Sequence, residues 1–176
     1  MNVLFLGQAK CGKTCLVARS TEDSFAEEYV PTYECQYSYK TLQFQGTKVS
    51  MKMWDTAGMP MFQFHTKRFY KDAHVVVLCY SITDRASLEK LSQDLEDCKE
   101  NCFRHETVLV GTKSDLKEQR EVTKDDVDEF MRKNDEIKHH METSALSGVG
   151  VNELFEKLVE IFGESFHMLF EPEESN

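Results

Sequence analysis

Gly7-Gln8-Ala9-Lys10-Cys11-Gly12-Lys13-Thr14 follows directly on the apolar run Asn2-Val3-Leu4-Phe5-Leu6. The octapeptide has the pattern G-x-x-x-x-G-K-[ST] and stands where that pattern has mechanical meaning. Before it, the apolar run reads as a buried strand, and after it Lys13 to Ser20 reads as a helix. Glycines let successive backbone N–H groups curl round a phosphate, and the helix presents its positive end to the same anion. In such a loop Lys13 neutralises the β- and γ-phosphates and the Thr14 hydroxyl ligates Mg²⁺. The cradle is expected to run from Ala9, Lys10, Cys11 and Gly12 through Lys13 and Thr14 to Cys15.

Outward from the loop, Ser24 to Tyr33 reads as irregular chain. Glu34 to Phe44 and Lys48 to Trp54 alternate as two strands across Gln45-Gly46-Thr47, which predicts an antiparallel hairpin. Val75-Val76-Val77-Leu78-Cys79 and Val108-Leu109-Val110 are continuous apolar runs, the pattern of strands buried on both faces. Leu88, Leu91, Leu95 and Cys98 recur at helical spacing between them. Thr123 with Asp126 resembles a capping box opening a helix that buries Val127, Phe130 and Met131. Val151, Leu154, Phe155, Leu158, Val159 and Phe162 form the apolar stripe of a last helix, with Glu153, Glu156, Lys157 and Glu160 facing away. Strands alternating with helices imply an α/β fold: a six-stranded, mostly parallel sheet with one antiparallel edge strand and helices on both faces. The expected domain covers residues 1–168, with 169–176 an acidic, disordered tail.

At 176 residues and 40% hydrophobic composition the chain suffices for one domain with a real core. A net charge of -10 argues against a general nucleic-acid binder. The six cysteines contain no CxxC pair, and two of them lie in or beside the glycine loop, which fits a reducing, cytoplasmic setting. Cys98 and Cys102 could share a helix face, but no further ligand at a suitable spacing is evident, so a metal role is not expected for them. The six histidines are scattered, and surface or packing roles are expected. The longest apolar run, Val75 to Tyr80, is too short to span a bilayer. No cysteine follows Cys102 to carry a prenyl group, so membrane attachment is expected only through partners or a further C-terminal segment.

Further motifs follow in order. Phe25-Ala26-Glu27-Glu28-Tyr29-Val30-Pro31-Thr32 precedes the hairpin, Trp54-Asp55-Thr56-Ala57-Gly58 ends it, Thr112-Lys113-Ser114-Asp115 follows a buried strand, and Thr143-Ser144-Ala145-Leu146 comes later. Together with the phosphate loop, these five motifs resemble those of the Ras-superfamily GTPases in order and spacing over about residues 1–165. The resemblance implies a monomeric guanine-nucleotide switch that binds GTP or GDP with Mg²⁺ and hydrolyses GTP. It implies Phe25 against the guanine ring, and Thr14, Thr32 and Asp55 as the magnesium group, with Asp55 acting through water. Lys13, the Thr32 backbone N–H and the Gly58 N–H would meet the γ-phosphate. Thr112, Lys113 and Asp115, with Ser144, Ala145 and Leu146, would form the base pocket. Asp115 would accept from guanine N1–H and the 2-amino group, and the Ala145 N–H would reach O6. Effectors, an exchange factor and a GTPase-activating protein would bind residues 25–40 and 54–73.

The departures from that pattern carry their own expectations. Met59 stands where the family has the glutamine that orients the attacking water, so intrinsic hydrolysis is expected to be very slow. Pro60 follows it where Glu is common. Ala9 adds a methyl near the γ-phosphate, and Thr112 replaces the usual Asn. Tyr37, Trp54 and Phe69, with the run Arg68 to Ala73, resemble the Rab branch, whereas the short stretch from Asp115 to Val122 leaves no room for the extra helix of the Rho branch. The alternative reading is a hydrolysis-deficient pseudo-GTPase acting as a nucleotide-stabilised binding module. An ATP-using P-loop kinase lacks a lid or a basic transfer site and conflicts with the base-reading motif.

Overall fold

β1 (Asn2–Leu6) lies at the middle of the sheet because both of its faces are apolar: Val3, Leu4, Phe5 and Leu6 are all buried. In this computed structural model, which describes residues 1–59 and 66–166, six strands run in the order β2-β3-β1-β4-β5-β6. β3 (Thr47–Asp55) and β4 (Val75–Ser81) pair parallel on either side of β1, followed by β5 (Glu106–Thr112) and β6 (Ile137–Glu142). β2 (Gln36–Phe44) adds the antiparallel edge. The helices are α1 (Lys13–Glu22), α2 (Arg85–Glu89), α3 (Leu91–Asn101), α4 (Lys124–Lys133) and α5 (Val151–Ser165), with 3₁₀ turns at Lys67–Asp72 and Lys117–Gln119.

Alternate residues of the central strands feed two cores. Val3, Phe5, Val77, Cys79 and Val110 pack in one cluster with Leu16 and Val17 of α1 and with Leu154, Phe155 and Leu158 of α5. Leu4, Leu6, Val76, Leu78 and Leu109 pack in the other with Leu88, Leu91, Leu95 and Cys98 and with Val127 and Phe130 of α4. Helices therefore cover both faces, as the apolar runs predict. The chain departs from β1 toward β3 on one side and β4 on the other, and the carboxyl ends at such a reversal form a natural ligand crevice. The Gly7 loop opens directly into it.

Some details differ from the sequence reading. Phe44 pairs with Thr47, so Thr47 belongs to β3 and the turn is the two residues Gln45 and Gly46, both at positive φ (48° and 83°), the geometry of a tight hairpin. The helix expected through Leu88 and Cys98 is two helices: at Lys90 the chain tightens, and Gln93 N–H bonds to Lys90 O three residues back. The four apolar side chains still face one core. Both hydrogen bonds of the Thr123–Asp126 box form, at 3.2 and 2.8 Å, but Met131 is only partly buried. Pro60 and the tail expected at 169–176 lie outside the described residues. No described helix is long and apolar enough to cross a membrane.

Asp94 is an acid inside the second face, 7% exposed on α3. Burial pushes its carboxyl from an ordinary 3.8 up to about 6, with Lys13 partly opposing and Asp97 reinforcing. The folded chain therefore binds the extra proton between those values, and stability from this group falls as pH rises through that window. Asp94→Asn is expected to gain about 2 kcal/mol at pH 7 and to flatten the slope between pH 4 and 6. Urea unfolding across pH checks this, and an unchanged slope contradicts it.

Candidate functional site

At Gly7 (φ 135°) a Cβ would lie 2.2 Å from the Cys79 carbonyl, so only glycine lets the chain leave β1 alongside β4. Lys10 (φ 67°) and Gly12 (φ 94°) also enter the left-handed region, which turns loop N–H groups inward. The buried Lys13 folds its ammonium back across the loop, donating to Gly7 O at 2.7 Å and Gln8 O at 3.1 Å. Cys11 is fully inside and serves through its backbone, while Cys15 is half-buried on the first turn of α1.

Three segments meet beside this loop. Thr14 Oγ1 donates to Asp55 Oδ2 at 2.7 Å and lies 3.0 Å from Thr32 Oγ1. Asp55, at the end of β3 and 4% exposed, has its other oxygen, Oδ1, buried with no hydrogen-bond partner among the described residues. Burial raises its pKa, against the Thr14 hydrogen bond and the charge of Lys13. A buried carboxylate with an orphaned oxygen next to two hydroxyls is a hard oxygen donor set, which suits Mg²⁺.

Beyond Asp55, the Thr56 hydroxyl donates to Phe5 O at 2.7 Å, fixing β3 on β1. Gly58 then touches the phosphate loop: Ala9 N–H donates to Gly58 O at 3.0 Å. Met59 comes next, half-exposed. From the other side Tyr29 approaches Lys10, whose ammonium stands 5.4 Å from the ring centroid. Phe25 is half-buried at the start of that segment.

The base-pocket candidates come from two joined loops. Ser114 N–H donates to Thr143 O at 3.0 Å, and Ser144 Oγ donates to Oδ1 of the exposed Asp115 at 2.5 Å. Lys113 takes φ 60°, which turns the chain sharply between Thr112 and Ser114. Thr112 differs from the role expected of it. Buried at the end of β5, its hydroxyl faces Cys11 O and Tyr80 O, so its single proton is directed to the phosphate loop and β4 and not to a base. Leu146 is half-exposed and contributes through its backbone.

A match to a family model described as Ras family covers residues 2–163. The chain belongs to the Ras family. Within that superfamily it is Rab-like: it is 34% identical over 157 residues to the Ras-related protein Rab-13 of Bos taurus, covering 89% of this chain and 76% of the relative. It is 37% identical over 165 residues to Rab-18 of Lymnaea stagnalis, covering 91% and 79%. With Rab-30 of Homo sapiens the identity is 36% over 154 residues, covering 87% and 75%. Ras-family proteins are GTP-binding switches and GTPases, and this chain carries their fold.

Tyr37, Trp54 and Phe69, the trio shared in pattern with the Rab branch, do meet. Tyr37 opposes Trp54 in the hairpin register with ring centroids 5.2 Å apart, and Trp54 stacks on Phe69 at 4.2 Å. Lys52 covers the group, 4.1 Å from the Trp54 centroid and 4.5 Å from that of Tyr37. Tyr37 and Tyr39 remain mostly exposed, so this Ras-family member displays aromatic surface outside its core.

Sequence reasoning overlooked three supports of the site. Arg19 reaches from α1 to Ala145 O at 2.6 Å and Leu146 O at 3.0 Å, holding the last loop against the helix, and no motif announces it. Arg120 grips Glu142 through two bonds of 2.8 and 2.7 Å just below Thr143. Tyr80 O–H and His140 Nε2 share a 2.9 Å bond beneath the same loop, a packing role for that histidine. Cys98 and Cys102, for which the sequence offers no further ligand at a suitable spacing, have His105 beside them, with one donor atom of each within 4.8 Å of the others.

Proposed function

We propose that this protein is a guanine-nucleotide switch with very slow intrinsic hydrolysis, and that the residues just described carry it. The observation with most weight is the meeting of Thr14, Thr32 and Asp55 beside Lys13, because those oxygens come from three segments that have no other reason to converge. Mg²⁺, when bound there with the nucleotide, supplies charge neutralisation at the phosphates. Thr14 and Thr32 would offer hydroxyl oxygens to the ion and Asp55 would act through water. Ala9 to Cys15 would hold phosphates through backbone N–H groups. Gly58 and Thr32 would bring their N–H groups to the γ-phosphate, so loss of that phosphate releases residues 25–33 and the chain after Gly58.

At the other end Asp115, braced by Ser144, would read N1–H and the 2-amino group of guanine, and Ala145 N–H would meet O6. Lys113 and Phe25 would flank the ring. Effectors, exchange factor and activating protein would engage residues 25–40 and 54–73, including the aromatic group at Tyr37, Trp54 and Phe69; residues 60–65 of that surface lie outside the described residues. A role in membrane traffic, as a monomer attached peripherally, follows from the Rab-like character.

Met59 puts a thioether where the water-positioning amide belongs, and catalysis in this class is mostly positioning. Nucleotide content by chromatography, followed by single-turnover GTP hydrolysis, tests the whole reading. Guanine nucleotide is expected in the purified protein, and Met59→Gln is expected to speed hydrolysis at least about tenfold, a gain of ~1.4 kcal/mol at the transition state. A Ras-like rate that Met59→Gln leaves unchanged contradicts the slow-hydrolysis reading. Retained nucleotide with no turnover in either form favours the second reading, a nucleotide-stabilised binding module, for which Met59 and the Ala9 methyl both speak. Absence of any guanine nucleotide, bound or taken up, overturns the switch itself.

A further inference from the structure

On the sheet face served by α3, far along the chain from the phosphate loop, Cys98, Cys102 and His105 bring one ligand atom each to within 4.8 Å of the others. Among the described residues this is the one group of three or more His, Cys, Asp or Glu side chains placed to share an ion. We propose that Cys98, Cys102 and His105 form a binding site for a thiophilic divalent cation, Zn²⁺ in the first instance, that pins the end of α3 to the start of β5.

The donors are set by the fold and not by chance meetings of surface side chains. Cys98 is 0% exposed and packs in the core with Leu95 and Leu91. Cys102 caps α3, its N–H bonded to Cys98 O at 2.8 Å, which places the two thiols one turn apart on the same side. His105 immediately precedes β5, whose first residue, Glu106, is bonded through its N–H to His74 O at 3.0 Å. Both ends of the connection are therefore anchored before any ion arrives. In a tetrahedral site with Zn–S bonds of about 2.3 Å, sulfur atoms stand roughly 3.8 Å apart. With all three donor atoms within 4.8 Å of one another, closing to that spacing asks for a movement of at most about 1 Å, within reach of side-chain rotation.

Charge and chemistry agree with that occupant. Two sulfurs and one imidazole nitrogen select a soft or borderline ion over Mg²⁺ or Ca²⁺. The negative end of α3 points at the site, which favours a cation. The neighbouring cation, Lys99, is held by Glu96 at 3.2 Å and Glu136 at 2.7 Å. On binding, each thiol loses its proton to solvent and the two thiolates neutralise the dication; the fourth position is left for a water.

Cobalt(II) is the probe, because tetrahedral thiolate coordination gives a sulfur-to-metal charge-transfer band in the near ultraviolet and strong visible bands, whereas an oxygen site such as that for Mg²⁺ gives neither. The full chain, in Mg²⁺ and a phosphine reductant, is titrated with Co²⁺ and then Zn²⁺. One equivalent of cobalt should produce both bands, and Zn²⁺ should erase them and raise the thermal unfolding midpoint. Cys102→Ser and His105→Ala, both at half-exposed positions, should each weaken cobalt binding by more than about a hundredfold while the metal-free unfolding midpoint stays close to that of the parent. Absence of the bands in folded protein overturns the proposal, as do bands that survive both substitutions.

Discussion

Gly58→Ala is expected to leave nucleotide bound but to remove the difference between the GTP and GDP states. A Cβ at Gly58 would sit 2.2 Å from Ala9 N, 2.5 Å from Gln8 C and 2.7 Å from Ala9 Cα. All three are backbone or Cα atoms of the phosphate loop, so no flexible side chain can yield. Either the loop distorts or the segment after Asp55 backs away, and the second is easier because the loop is pinned by Lys13 and Thr112. The 3.0 Å bond from Ala9 N–H to Gly58 O is then lost, and on the proposed reading Gly58 N–H no longer reaches a γ-phosphate. Trp54, the only tryptophan, is four residues upstream and stacked on Phe69, so its fluorescence reports the position of this segment. The fluorescence change on exchanging GDP for a non-hydrolysable GTP analogue should disappear in Gly58→Ala. In the faster Met59→Gln background, hydrolysis should fall about a hundredfold or more, the scale expected for a displacement near 1 Å. Hydrolysis within threefold of the parent, with the fluorescence change intact, would show that Gly58 does not approach the phosphate as proposed.

Asp115→Asn is expected to exchange one base for another. On the proposed reading its carboxylate accepts from two guanine donors, and each hydrogen bond to a charged acceptor contributes roughly 1.5–3 kcal/mol. The amide keeps an oxygen for N1–H but turns an NH₂ toward the 2-amino group, donor against donor. GTP affinity should drop by roughly 10²- to 10⁴-fold. Xanthine has an oxygen at that position, so xanthosine triphosphate should gain and overtake GTP. The bond from Ser144 Oγ, 2.5 Å in the parent, can still be accepted by the amide oxygen, so the loop should keep its shape. Competition binding with the two triphosphates decides; equal losses for both would mean that Asp115 supports the loop without reading the base.

Much of the fold was legible because its signals are local and redundant. The runs Val75 to Cys79 and Val108 to Val110 have no solvent-tolerant face, the stripe of α5 has one, and the glycine loop locates the crevice by its neighbours alone. The features that escaped are those decided by contacts distant in sequence. Arg19 is an ordinary helix residue until Ala145 and Leu146, more than a hundred positions away, put their carbonyls beside it. Thr112 reads as a base-motif variant, but its hydroxyl answers to carbonyls of Cys11 and Tyr80. His105 stands only three residues after Cys102, a spacing outside the common zinc motifs, so the sequence alone does not mark it. The turn between α3 and β5 shortens that spacing to something the fold can still close.

Thr112 has one hydroxyl proton and two carbonyls competing for it, one on the phosphate loop and one on β4. An asparagine there would bring two N–H donors, one for each. With a single proton Thr112 holds one of them at a time, so it ties the phosphate loop to the sheet more weakly than an asparagine would.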